Sequence, residues 1–117
     1  MKKQEKSQLK IYIDSSQRDR KKVALVNVLN HKQKELDVIE GDVDVVGSIK
    51  KILEKNDLKL KDVSEFIPRL GPGSFTGLKI GVTVSNVLNW LLKRKKLNEL
   101  YIPEYGGEPN ISERKKK

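Results

Sequence analysis

The chain contains no cysteine, which excludes disulfide bridges, thiolate metal sites and cysteine nucleophiles together. Histidine occurs once, at His31 in a turn-like stretch, and is assigned to solvent; neither a Ser/His/Asp set nor a metal site can be assembled around it. Aromatic residues make up 5% of the sequence, so there is no ladder of exposed rings for stacking bases. No apolar run approaches the roughly 20 residues of a membrane span. The opening MKKQEKSQLK lacks the apolar segment of a signal peptide, and the expectation is a soluble, cytoplasmic protein without a membrane contact. No pair of carboxylates is placed by its spacing for acid and base chemistry, and no catalytic or metal-binding residue is assigned.

What is abundant is positive charge: 25 Lys and Arg against 16 Asp and Glu give a net charge of +9 in 117 residues. That length allows one domain with a modest core. Basic residues crowd the two ends, the stretch from Arg18 to Lys22, and the run Lys93, Arg94, Lys95, Lys96. Lysines that neutralise phosphates give salt-dependent nucleic-acid binding, but charge spread in this way is read first as a solvated surface. The run Lys93 to Lys96 and the C-terminal tail are the best candidates for a nucleic-acid contact.

Hydrophobic periodicity divides the chain into strands first and helices afterwards. Residues 9–14 alternate, with Leu9, Ile11 and Ile13 on one face, and 22–29 form a nearly continuous apolar run; the polar stretch SSQRDRK closes a hairpin between them. A third strand over 33–40 is polar enough to lie at a sheet edge. Val45, Val46, Ile49, Ile52 and Leu53 then fall at helical spacing, with Asp42 or Asp44 as cap and Asn56 and Asp57 as the end. A fourth strand is expected within 63–69, with Pro68 near its end. A second helix over 76–93 carries a strip of small residues, Gly77, Gly81 and Ser85, beside an apolar stripe of Ile80, Val84, Val87, Leu88 and Leu91. A short last strand is expected at about 98–103. Trp90, near the end of the second helix, is read as a core packing residue.

Between the fourth strand and the second helix stands GPGSFTGLKIG, Gly71 to Gly81. Gly71, Gly73 and Gly77 permit positive φ or close backbone approach, and Pro72 fixes one φ and removes a donor. Such a loop can offer free N–H groups at a helix start, where the dipole favours an anion. It is not a P-loop: counted from Gly71 the second glycine position holds Thr76, and Gly77 is followed by Leu78 rather than lysine. Nor is it GxGxxG. On spacing alone a tight strand-to-helix turn without a ligand is the competing reading.

The wording of this segment closely resembles the signature of the TsaB family, also called YeaZ, the accessory subunit of the bacterial machinery that makes threonylcarbamoyladenosine in tRNA. The strand ending IYIDSS, Ile11 to Ser16, is similar to that family's first strand, which ends Asp-Thr-Ser. The resemblance implies an α/β fold: a single ribonuclease H-like lobe of the actin-like ATPase (ASKHA) kind, with a mixed sheet of three antiparallel strands, then helix, strand, helix and a short last strand. On this basis residues 1–8 are a basic tail, 9–103 the lobe and 104–117 a second basic tail. The family's second lobe is missing; a natural one-lobe form and a fragment are the two readings.

In ATPases of this fold nucleotide lies between two lobes, so no cofactor is expected to bind this chain alone. Asp14, Ser15 and Ser16 occupy the place of the first phosphate loop, in degenerate form, and Asp14 is expected to brace the hairpin turn. The resemblance implies a non-catalytic scaffold for a TsaD-like threonylcarbamoyltransferase, paired through the two helices, with a homodimer when alone and a TsaE-like ATPase as a further partner. Val45, Ile49, Leu78, Val82 and Leu92 are expected to form the exposed apolar patch of that pairing, with Gly81 and Ser85 in the same face. The signature loop, Gly71, Pro72, Gly73, Ser74, Phe75, Thr76 and Gly77 with Lys79, is a second candidate contact, to an anion or to the partner. Lys93, Arg94, Lys95 and Lys96 are the candidate tRNA contacts. The alternative function is a small anion or nucleotide binder, or a basic RNA-binding module, that keeps the fold only.

Overall fold

Alternation decides the first half of the chain. In the computed structural model, which describes residues 7–72 and 75–102, β1 (Gln8–Asp14), β2 (Lys21–Leu29) and β3 (Lys32–Gly41) form an antiparallel meander. Ile11, Ile13, Val23 and Leu25 turn to one face, where all four are buried, and Tyr12, Ala24 and Val26 turn to the other. The β2–β3 connection is two residues, Asn30 and His31, at φ 55° and 66°. Two positive φ values are what a tight hairpin needs to follow the strand twist. The single histidine is therefore an exposed turn residue.

The period then changes. Helix α1 (Val45–Lys55) buries Val45, Ile49, Ile52 and Leu53 at positions i, i+4, i+7 and i+8. Asp44, not Asp42, is its cap, accepting the Gly47 N–H at 2.7 Å. At the other end Leu58 N donates to Leu53 O and Asp57 N to Glu54 O around Asp57 at φ 57°, a Schellman closure. After one 3₁₀ turn (Leu60–Asp62), β4 (Glu65–Pro68) runs parallel to β1, giving the sheet order β3-β2-β1-β4. Helix α2 (Phe75–Leu91) follows and ends in a second Schellman closure, Arg94 N to Asn89 O and Lys93 N to Trp90 O, with Lys93 at φ 59°.

Both helices pack on the Ile11/Ile13/Val23/Leu25 face, with Phe66 and Val63 completing the core. The opposite face has no helix over it among the described residues. It is dressed instead by Lys22 with Glu35, Lys10 with Glu65, Arg69 with Asp14, and Gln33 donating to the Tyr12 hydroxyl. A sheet whose first three strands are antiparallel tolerates one wet face well.

The short last strand expected at 98–103 is not formed over the described part of that range: residues 97–99 make a 3₁₀ turn instead, and Pro103 lies outside the described residues. The reason lies on β4. Phe66 points its backbone away from β1, and there the Asn89 side chain from α2 accepts the Phe66 N–H at 2.9 Å and donates to the Phe66 carbonyl at 2.8 Å. The next outward position is Pro68, which has no N–H to offer. A side-chain amide has taken the place of a fifth strand.

The strip of small residues on α2 faces this same sheet. Gly81 lies against β1, Ser85 is fully buried, and Asn89 reaches β4. The Ser85 hydroxyl has no hydrogen-bond partner among the described residues. Removing it in Ser85→Ala is expected to raise stability by about 1 kcal/mol, since an unsatisfied buried hydroxyl carries its desolvation penalty uncompensated; urea denaturation midpoints would measure it.

Candidate functional site

The end of β1 and the start of α2 meet around the signature loop. Ser15, buried, donates its hydroxyl to the Gly77 carbonyl and accepts the Gly81 N–H at 2.9 Å, so one oxygen bridges two successive turns of α2. Only residues without side chains let β1 come this close: a Cβ on Gly81 would lie 2.6 Å from Ser15 Oγ and 3.3 Å from Ile13 Cγ2. Asp14 accepts from Ser16 N at 3.0 Å and from Ser16 Oγ at 2.6 Å, bracing the hairpin turn as its sequence position suggests, and pairs with Arg69 Nη1 at 3.5 Å. Asp14, Ser15 and Ser16 are thus engaged in holding β1 to its own turn, to β4 and to α2.

Of the signature loop, Gly71 (φ 148°) and Pro72 follow the end of β4, Phe75, Thr76 and Gly77 open α2, and Lys79 is exposed one turn on. Gly73 and Ser74 lie outside the described residues. A hollow beside the helix start is lined by Ser16, Gln17, Arg18, Lys21, Thr76, Gly77 and Ile80. There the Lys21 ammonium donates to the Arg18 carbonyl at 2.6 Å, within the turn itself.

The expected partner face requires correction. Val45, Ile49, Leu78 and Val82 are 5% exposed or less, Gly81 and Ser85 are buried, and Leu92 is half-buried against the core. They cover the chain's own sheet. A helix laid on a sheet uses its small and apolar positions for that contact first, because the sheet is always present. What remains outward is the other stripe: Ile80, Val87 and Leu91, with Trp90 half-exposed on α2 rather than in the core, and Val46 on α1. Between the helices lies an open apolar groove of about 560 Å³, whose walls include Val46, Leu58, Leu60, Val84, Val87 and Leu88.

The basic run at the end of α2 also divides. Lys93, Arg94 and Lys96 are exposed, but Lys95 is not free: it pairs with Glu65 at 2.9 Å and lies over the Tyr101 ring at 5.0 Å. Glu65 also takes Lys10 at 3.4 Å and the Tyr101 hydroxyl at 2.5 Å. Burial pushes the Glu65 carboxyl up, but the hydrogen bonds from Tyr101 and Lys95 and the nearby lysine charges outweigh it and hold the group below its ordinary 4.5. The Asn56 amide, overcoming desolvation with help from Val38 N and Lys55, likewise holds Asp37 low. Carboxyls lowered by folding stabilise the protein above their ordinary range and lose that contribution as pH falls through their folded values. Unfolding on acidification below about pH 4.5 is therefore expected to be steeper in the wild type than in Glu65→Gln, read by circular dichroism in urea.

Among the described residues no group of His, Asp and Glu is arranged to hold a metal, and no helix is long and apolar enough to cross a membrane.

Comparison with known proteins adds three findings. Residues 43–98 match the family model for TsaD, tRNA N6-adenosine threonylcarbamoyltransferase. Over 50 residues, 43% of this chain and 22% of the relative, the sequence is 36% identical to the tRNA threonylcarbamoyladenosine biosynthesis protein TsaB of Bacillus subtilis (strain 168). Two solved structures share the fold: YeaZ from Pseudomonas aeruginosa, with TM-score 0.58 and 17% identity over 74% of this chain and 41% of the other, and a protein described as uncharacterized with similarity to peptidase YeaZ from Pseudomonas aeruginosa, with TM-score 0.60 and 16% identity over 93% and 49%. The chain spans less than half the length of each of these relatives.

Proposed function

We propose that the chain, similar in sequence to TsaB and in fold to YeaZ, serves tRNA threonylcarbamoyladenosine modification as a non-catalytic scaffold that holds a TsaD-like transferase. The lobe is then a ribonuclease H-like one whose sheet, among the described residues, ends at β4. The observation that carries this function is the apolar face that α1 and α2 leave exposed among the described residues. Val46 and Val87, 59% and 47% exposed, line one groove, and Trp90 and Leu91 are exposed further along α2, whereas single exposed apolar residues are ordinary on a surface. The reading of a non-catalytic role is supported by the hydrogen bonds that engage Asp14, Ser15 and Ser16 within the fold. The same face pairs two copies when the partner is missing.

Light scattering behind size-exclusion chromatography, on the chain alone and mixed with the TsaD-like protein of the same genome, tests this. Burying a few half-exposed Val and Leu side chains is worth about 1 kcal/mol each, so Val87→Glu with Leu91→Glu is expected to weaken the complex about 30-fold or more while circular dichroism stays unchanged. Undiminished pairing in that variant would remove the groove from the interface, and no complex with the wild type would remove the scaffold role.

A further inference from the structure

The fold gathers two separate basic stretches at one end of the molecule. Residues 59–61 precede β4, and 93–96 follow α2; Arg94 ties them together by donating from Nε to the Val63 carbonyl at 3.1 Å and from Nη2 to the Lys61 carbonyl at 2.8 Å. These bonds fix the guanidinium without neutralising it. No carboxylate among the described residues lies within ion-pair distance of Lys59, Lys61, Lys93, Arg94 or Lys96, all of them exposed. The two acids nearby, Asp62 and Glu99, accept the backbone N–H groups of Lys59 and Lys96. Glu65, a further acid at this end, is already enclosed by Lys10, Lys95 and Tyr101, while Glu54 lines the groove with Lys59 and Asp57 stands two residues before it, neither within ion-pair distance of the five cations.

We infer that this pole, Lys59, Lys61, Lys93, Arg94 and Lys96, is a binding surface for the phosphate backbone of a folded RNA. The five cations stand on turns around an anchored arginine at the end of the domain, with Lys59 also at the rim of the apolar groove. They are not the polar face of an amphipathic helix, the element that lies in a lipid surface with its apolar side buried. With few rings available for stacking, contact is through phosphates and carries little sequence preference. The choice of RNA over an acidic protein rests on the proposed role in tRNA modification; the charge geometry does not.

The test is fluorescence anisotropy of an unmodified tRNA transcript with the full chain across a salt series. Five phosphate contacts predict a fall of log K with log salt of about −3.5 to −4.5. Lys93→Gln with Lys96→Gln is expected to reduce that slope by about 2, whereas Arg18→Gln with Lys21→Gln, at the opposite end of the sheet, leaves it unchanged. Equal effects of the two pairs would overturn the localisation. Absence of salt-dependent binding by the wild type, or displacement of the tRNA by poly-glutamate as readily as by a second tRNA, would overturn the RNA assignment. Because complex formation with the TsaD-like protein is read separately, failure here with an intact complex removes only this inference.

Discussion

Asn89→Leu is expected to destabilise the protein by about 2–5 kcal/mol, which would move the urea midpoint by a molar unit or more. The side chain is fully buried and makes two hydrogen bonds, one in each direction, to the backbone of Phe66. Leucine has a similar volume, so packing is largely kept while the Phe66 N–H and carbonyl are left without partners in a water-poor site. Each such group carries a penalty of about 1–3 kcal/mol, against a total stability of about 5–15 kcal/mol for a domain of this kind. Asn89→Asp separates the two bonds: it still accepts from the N–H but sets a carboxylate against the carbonyl, and is expected to be no better than leucine. A leucine variant as stable as the wild type would show that the amide is not what closes the edge of β4.

Gly81→Ala is the second large effect, with an expected loss of about 1–3 kcal/mol despite the better helix propensity of alanine. The new methyl would stand 2.6 Å from Ser15 Oγ. That oxygen can move only by giving up its bonds to Gly77 and Gly81. Removing the oxygen in Ser15→Ala makes room, leaving the Ser15 Cβ at 3.6 Å and Ile13 Cγ2 at 3.3 Å as the nearest atoms. The double variant Ser15→Ala, Gly81→Ala is thus expected to be more stable than the sum of the single changes, by 1 kcal/mol or so. Strict additivity in a denaturation cycle would mean that the glycine is not there for the serine.

Much of the architecture was legible because the early strands and α1 follow one periodicity each. Their alternating or helical apolar positions, the Asp44 cap and the Asn56 end all agree with the folded chain. Helix α2 was harder. It has apolar residues on two sides, and small residues at every fourth position suit a sheet as well as a partner helix, so the sequence alone could not say which stripe turned inward. The partner face was consequently placed on residues that the sheet already covers. The lost last strand was illegible for another reason: an asparagine 23 residues from its backbone partner gives no periodic signal that it stands in for a strand. The signature loop could be recognised by its wording, while its grip on Ser15 could not, since the contact spans 62 to 66 positions.

The sheet order carries a consequence for how the chain assembles in time. The β1–β2–β3 meander joins neighbours along the chain, but β4 must find β1 across about fifty residues, and α2 completes the core only after that. Local pairings close quickly, while distant ones wait on loop closure and set the rate. The segment that docks last carries the outward stripe of α2 and the basic turn behind it. A half-assembled chain would thus have its hairpins before α2 completes the apolar groove and the basic end, so neither surface is whole until the final step of folding.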